Sequence, residues 1–478
     1  MHKSFAGIAI ALASIMLSTA QLCAQTLDAI QRAAIDKIAQ DALDTQRVPG
    51  ISLAVARGSD ILYAQGYGYR DVAHRFAAVA DTIYAIGSNT KQFTAAAVML
   101  LAQDKKLDID AKVADYLPSA PHAAEITVRE LLDQTSGLPN YVDHIAMTNR
   151  MSTEYRPEQL VALVKNAPLD FLPGTKWEYS NTNYVLLGML IEKASGMSYS
   201  AFVQRRIIAP LGLTSTSFPK TVPVGPQYAV GYQLTGDGAT PVVADLSWAY
   251  AAGALFSNVA DLVKWDDAFW NGRVVDPASL TLMTTPAKLP DGTDTKYGFG
   301  WFVSTMYGQR EVWHNGGLPG FSTRNATFPD DDHLEIVVLA NTISFDPAST
   351  VRRIFEVVEP QIVANATPTP APTSAPGEDP AITARAKEWF VRLEKNDIDR
   401  SQLTADMSNA LTTDKAAQLA AALGPMGAPT AFVYIGKTVK DPYTIYQYLV
   451  QGGQGALVFT FVLDPAGKVA GMFVKPQS

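Results

Sequence analysis

The sequence predicts an α/β chain of the segregated α+β kind: an antiparallel sheet flanked by helices plus an all-helical subdomain, followed by a small α+β roll-like C-terminal domain. Three observations carry that prediction. Strand-like runs sit at both ends of a long first segment while helix-periodic stretches fill its middle, which is the pattern of one sheet built from two chain ends. A proline-rich stretch then interrupts the chain, and beyond it two helical stretches precede four β-rich runs spaced as a meander.

The chain has 478 residues, 47% hydrophobic and 18% charged, a formal net charge of −8 and a single cysteine. That balance excludes a disordered acidic tail, a disulfide scaffold and a basic nucleic-acid binder, so no nucleic-acid partner is expected. Lys3, the apolar run from Phe5 to Leu17, and the small residues at Ser18-Thr19-Ala20 and Leu22-Cys23-Ala24 have the layout of a secretory signal peptide over residues 1–24. Cleavage after Ala24 would remove the only cysteine, and Ala20-Gln21-Leu22 fits a lipoprotein cleavage box poorly. A secreted or periplasmic protein with no integral membrane segment in the mature chain is expected.

Taken in order, Leu27, Ile30, Ala34, Ile38 and Ala42 have helical spacing, and Pro49-Gly50 ends that pattern. Ile51–Ala56 and Ile61–Tyr69 read as strands around the turn Arg57-Gly58-Ser59-Asp60. Phe299–Ser304, Phe321–Phe328 and Leu334–Ala340 read as strands too, and a helix over Val351–Val363 closes the first domain, expected at residues 25–363. Pro368, Pro370, Pro372 and Pro376 mark a linker over 364–379. An accessory domain over 380–478 follows, with helices at Ala381–Glu394 and near Lys415–Leu423 and strands at Ala431–Thr438, Tyr443–Val450, Ala456–Leu463 and Val469–Val474. Its order is similar to nuclear-transport-factor-like or cystatin-like rolls, with binding and dimerisation both open as roles.

Three short stretches carry chemistry. Ser88 and Lys91 stand three apart at the start of an apolar helix, so the amine can reach the hydroxyl and act as its base if burial favours the neutral form. By itself the pair also fits an ordinary N-cap followed by an exposed lysine. Tyr179-Ser180-Asn181 precedes a second apolar helix, where a phenol can shuttle a proton and an amide can orient a substrate. Trp313-His314-Asn315-Gly316-Gly317 lies between β-rich runs, where glycines admit a substrate and backbone N–H groups can complete an oxyanion hole with that of Ser88. His74, His122, His144 and His333 show no metal-ligand spacing, so no metal and no cofactor is expected.

In this order, Ser88-x-x-Lys91, Tyr179-x-Asn181 and His314-x-Gly316 resemble the active-site signature of the penicillin-recognising serine hydrolases, the branch with class C β-lactamases, DD-peptidases, D-amino-acid amidases and β-lactamase-like esterases. Gln134-Thr135-Ser136-Gly137-Leu138-Pro139, Phe171-Leu172-Pro173-Gly174 and Tyr297-Gly298-Phe299-Gly300-Trp301 extend the resemblance. It implies a small-molecule or peptide substrate, with Ser88, Lys91 and Tyr179 as catalytic residues and Asn181, His314, Gly316 and Gly317 as substrate-binding ones. It also implies an acyl-enzyme, with the Ser88 and Gly317 N–H groups on the oxyanion. The expected activity is that of an exported serine acyl hydrolase acting on esters, amides or β-lactams; the alternative is a weakly catalytic penicillin-binding or peptidoglycan-sensing protein. A GxSxG hydrolase is disfavoured because the chain has no such elbow. His314 stands where the family's β-lactamases have a lysine, which removes a permanent cation, and Arg324 is the nearby residue able to restore one.

Overall fold

The structure, a computed structural model, describes residues 26–147, 151–219, 223, 225–236, 238–366, 374–423, 429–452 and 455–476. The signal-peptide reading of residues 1–24, the middle of the expected linker at 367–373, and Gly453 of the expected Gly452-Gly453 turn lie outside them. The chain divides into two compact units, one running to Ser304 together with Glu311–Phe345, the other made of Thr305–Arg310 and Asp346–Ser478.

A seven-stranded sheet forms the first unit's centre. Its strands are β1 (Gly50–Arg57), β2 (Asp60–Asp71), β3 (Phe76–Ala77), β4 (Phe302–Met306), β5 (Gln309–Leu318), β6 (Phe321–Phe328) and β7 (Leu334–Ala340). They lie in the order β3-β2-β1-β7-β6-β5-β4. The seam joining the two chain ends is the antiparallel pair β1 and β7, with Ile51 opposite Ala340 and Val55 opposite Ile336. Every residue of β6 and β7 is buried, as is β1 up to Ala56. Both faces are therefore covered, which is why β7 reads Leu-Glu-Ile-Val-Val-Leu-Ala with almost no polar alternation. Helix α1 (Ala29–Thr45) packs on β1 and β2, and the helix Val259–Trp270 on β1, β2 and β7.

Two central helices hold the site. Thr90–Gln103 is buried from Thr90 to Leu101 on all sides, and Asn181–Ser195 packs against it with seven successive residues from Thr182 to Gly188, and then Leu190 and Ile191, in its buried set. A helix buried on nearly every side belongs in a core, and these two pack against each other there. Among the described residues no helix is long and apolar enough to cross a membrane.

Three expectations shift. The first helix turns its Ile35, Ile38, Ala39 and Ala42 stripe inward while Ile30 is 80% exposed, so the buried face is rotated from the predicted one. The strand expected from Phe299 starts at Phe302. Gly300 has φ +80°, a conformation closed to a strand, and the Phe299 N–H donates to the Met283 carbonyl at 3.0 Å instead of to a sheet neighbour. The helix expected over Val351–Val363 is two helices, Pro347–Val358 and Pro360–Asn365, because Pro360 has no N–H to continue the first.

The second unit carries a four-stranded antiparallel meander, Ala431–Lys440, Tyr443–Gly452, Gly455–Leu463 and Val469–Pro476, in sequence order. Trp389 and Phe390 of the helix Pro380–Glu394 join Tyr448, Phe459 and Phe461 in its core. This is the small α+β architecture expected from the spacing of its runs.

Candidate active site

Gly87 sets the position of the serine. Its φ of +55° starts a tight turn, and a Cβ there would stand 2.8 Å from the Gly317 nitrogen, so the turn lies directly on β5. Asn89 Nδ2 donates to the Ile86 carbonyl at 3.0 Å and to Thr323 Oγ1 at 2.8 Å, and Thr323 Oγ1 donates to the Ile86 carbonyl at 3.0 Å. These bonds tie the turn Gly87–Asn89 to the neighbouring strand β6. Ser88 lies within that turn and the helix begins at Thr90, so the serine is not the N-cap that its sequence position also allowed.

Lys91 is fully buried, which removes the reading of an exposed first-turn lysine. Its Nζ lies 3.0 Å from Ser88 Oγ, 2.8 Å from Asn181 Oδ1 and 2.7 Å from the Ala252 carbonyl oxygen. Burial pushes its pKa well below the ordinary lysine value, because the ammonium loses its hydration with no carboxylate beside it. The ammonium-derived group also sits 4.8 Å from the centre of the Tyr179 ring.

Tyr179 hydrogen-bonds Ser88, and burial raises its pKa well above the usual phenol value, which keeps the hydroxyl protonated. The loop that delivers it is anchored by Gln134, whose carbonyl accepts from Glu178 N–H at 3.1 Å and whose Oε1 accepts from Ser180 N–H at 3.0 Å. Asn181 opens the next helix, and its own N–H donates to Asn140 Oδ1 at 3.1 Å. Asn140 thus fixes the asparagine that touches Lys91.

Of the remaining predicted residues, Gly316 and Gly317 meet the serine's turn but His314 does not face the cavity. A Cβ on Gly316 would lie 1.9 Å from the Ile86 carbonyl oxygen, so no side chain fits between the turn and β5. Gly317 and Ser88 both line a cavity of about 560 Å³, together with Asn181, Tyr141, Trp248 and Ile343. The His314 ring is buried behind Tyr179, 6.0 Å between ring centres, and is absent from that lining. Its Nδ1–H donates to the Asn315 carbonyl at 2.6 Å, leaving Nε2 to accept from the Tyr297 hydroxyl at 3.3 Å. Desolvation, and after it the charge of Lys91, lower its pKa to about 3, so it is neutral at physiological pH.

Arg324 does not supply the missing cation either. It is buried with Glu311 in an ion pair of 2.5 Å, donates to Asn315 Oδ1 at 2.9 Å and stacks 3.9 Å above the Trp313 ring. Its charge is spent inside the protein.

Sequence reasoning missed the Ala252 carbonyl, Asn140 and Gln134 as parts of the site. Asn140 directly follows the quoted Gln134–Pro139 stretch and was within reach of that signal; a backbone carbonyl leaves none. Among the described residues no three His, Cys, Asp or Glu side chains come together as a metal site would require.

The Beta-lactamase family model matches residues 35–359. Protein flp of Staphylococcus aureus (strain N315) is 31% identical over 343 residues, covering 69% of this chain and 66% of that protein. Penicillin-binding protein 4* of Bacillus subtilis (strain 168) is 32% identical over 299 residues, covering 58% of this chain and 65% of that protein. The chain thus spans about two thirds of the length of these curated relatives. The crystal structure of D-amino acid amidase from Ochrobactrum anthropi SV3 complexed with D-phenylalanine is similar at 27% identity and a TM-score of 0.62, over 70% of this chain and 99% of that one. With the serine, the buried lysine and the tyrosine gathered on this fold, the chain belongs to the Beta-lactamase family of serine hydrolases.

Proposed function

We propose that the chain is a serine acyl hydrolase that works through an acyl-enzyme on Ser88. The observation that carries this reading is the contact between Ser88 Oγ and the Nζ of a fully buried lysine at 3.0 Å. A neutral amine has two N–H bonds and one lone pair. The Ala252 carbonyl and Asn181 Oδ1 can only accept, so they take the two N–H groups and the lone pair is left for the Ser88 O–H.

On attack, Ser88 Oγ bonds to the substrate carbonyl carbon and its proton passes to Lys91. The carbonyl oxygen becomes an oxyanion held by the N–H groups of Ser88 and Gly317, a pair whose single loss typically costs ~10²–10³ in rate. As the bond to the leaving group breaks, the Tyr179 hydroxyl gives its proton to that group and is resupplied from Lys91. Water then adds to the acyl ester, loses a proton to the same pair, and frees the acid and the Ser88 hydroxyl. Kinship with penicillin-binding protein 4* and a D-amino acid amidase supports carbonyl substrates of this kind. Export belongs to the same proposal and rests on Lys3 and the apolar run from Phe5 to Leu17.

Ser88→Ala tests the reading. Hydrolysis of an activated ester should fall by a factor on the order of 10³ or more, and a fluorophosphonate should add its mass to the wild type but not to the variant. Wild-type turnover by the variant would overturn it.

A further inference from the structure

We infer that the Ser88 cavity selects uncharged substrates with a sizeable apolar group and discriminates against those carrying a carboxylate; the inference rests on the acyl-hydrolase reading above and sharpens it. The cavity holds about 560 Å³, the size of a site for a medium organic molecule and much more than an acetyl group needs. Met151, Leu234, Trp248, Leu318 and Ile343 are the large apolar side chains among those that line it. Its polar side chains, besides Ser88, include Asn181, Gln233 and Ser344, all neutral, and no Asp, Glu, Lys, Arg or His side chain is among the described residues lining it.

Lys91, Arg324 and His314 are unavailable to a ligand in this cavity. Lys91 is enclosed by the Ser88 hydroxyl, the Asn181 amide and the Ala252 carbonyl. Arg324 is closed off by Glu311 and Asn315 beneath Trp313. His314 is packed among Tyr179, Tyr297 and Phe302. A carboxylate entering this cavity would exchange its hydration for neutral donors alone, with no cation lining the cavity to offset its charge, and a buried charge without a counter-charge is among the most costly groups to desolvate. A neutral ester or amide faces no such loss, and Asn181, Gln233 and Ser344 can hydrogen-bond its uncharged polar groups.

The test is a matched pair of esters, p-nitrophenyl methyl adipate and p-nitrophenyl hydrogen adipate, which differ by one methyl group and one negative charge. The methyl ester should show a kcat/KM on the order of 10² higher. Ser344 is exposed at the cavity's mouth, so Ser344→Lys should fold and should narrow that ratio by about tenfold or more by giving the carboxylate a partner. Equal turnover of the two esters through Ser88, or a ratio unmoved by Ser344→Lys, would overturn the inference while leaving the acyl-hydrolase reading standing. Absence of turnover for both esters together with absence of any fluorophosphonate adduct on Ser88 would bring down both.

Discussion

Gly316→Ala isolates the fit between the serine's turn and β5. The glycine does not have a positive φ, so alanine meets no backbone penalty and the effect is purely steric. Its Cβ would sit 1.9 Å from the Ile86 carbonyl oxygen and 2.2 Å from Thr323 Oγ1. Neither atom is free to retreat, because the carbonyl accepts from Asn89 and Thr323, and Thr323 is itself gripped by Asn89. Relief therefore requires the strand and the turn to separate by about 1 Å, and that motion carries the Gly317 N–H away from the Ser88 N–H. A displacement of this size at a reacting centre, or the loss of one oxyanion donor, costs ~10²–10³ in rate. Overpacking should cost about 1–3 kcal/mol in stability as well. Gly317→Ala is the comparison: its Cβ would meet only the tip of the Ile343 side chain at 3.2 Å, and that side chain is 46% exposed and able to turn away. Ester hydrolysis by the two variants, with thermal melts to confirm folding, should show a loss of about 10²-fold or more for Gly316→Ala and under about tenfold for Gly317→Ala. Near-wild-type turnover by Gly316→Ala, or greater damage in Gly317→Ala, would refute the steric account.

Activity should rise with pH as Lys91 loses its proton, because only the neutral amine can accept from Ser88. With its pKa lowered by burial, the midpoint in kcat/KM should fall well below the ordinary lysine value of 10.5, and a midpoint at that value would contradict the assignment. Removing one partner of the buried Arg324 and Glu311 pair leaves the other charge stranded, so Arg324→Ala should destabilise by about 3–5 kcal/mol in denaturant unfolding. Replacing both with leucine should cost less than the two single changes added together, an outcome that an arginine held free for substrate would not produce.

The sheet was legible because its strands obey simple rules. Leu334–Ala340 is apolar on both faces since both faces are covered, and Ile51–Ala56 pairs with it as a strand of the same character. The serine and lysine were legible because helical geometry alone brings residues three apart together. What stayed hidden depended on partners distant in sequence. Nothing in the stretch around Arg324 reveals that Glu311, thirteen residues earlier, would neutralise it across adjacent strands. The sequence assigns His314 to substrate binding, and only the packing of Tyr179, Tyr297 and Phe302 around it shows that it lies behind Tyr179. Phe299 carried strand chemistry, but the turn at Gly300 took precedence because that glycine lies against the Lys91 carbonyl, 2.7 Å from where a Cβ would be.

The grip of the Ala252 carbonyl on Lys91 has a consequence for anyone mapping this site by substitution. Every amino acid brings the same oxygen to that position, and a scan to alanine, which leaves residue 252 as it is, passes over the contact altogether. The lysine's setting is instead exposed to changes that bend the main chain of Tyr250–Gly253, and an inactive variant found there would be a fault of shape in which no functional group had been lost.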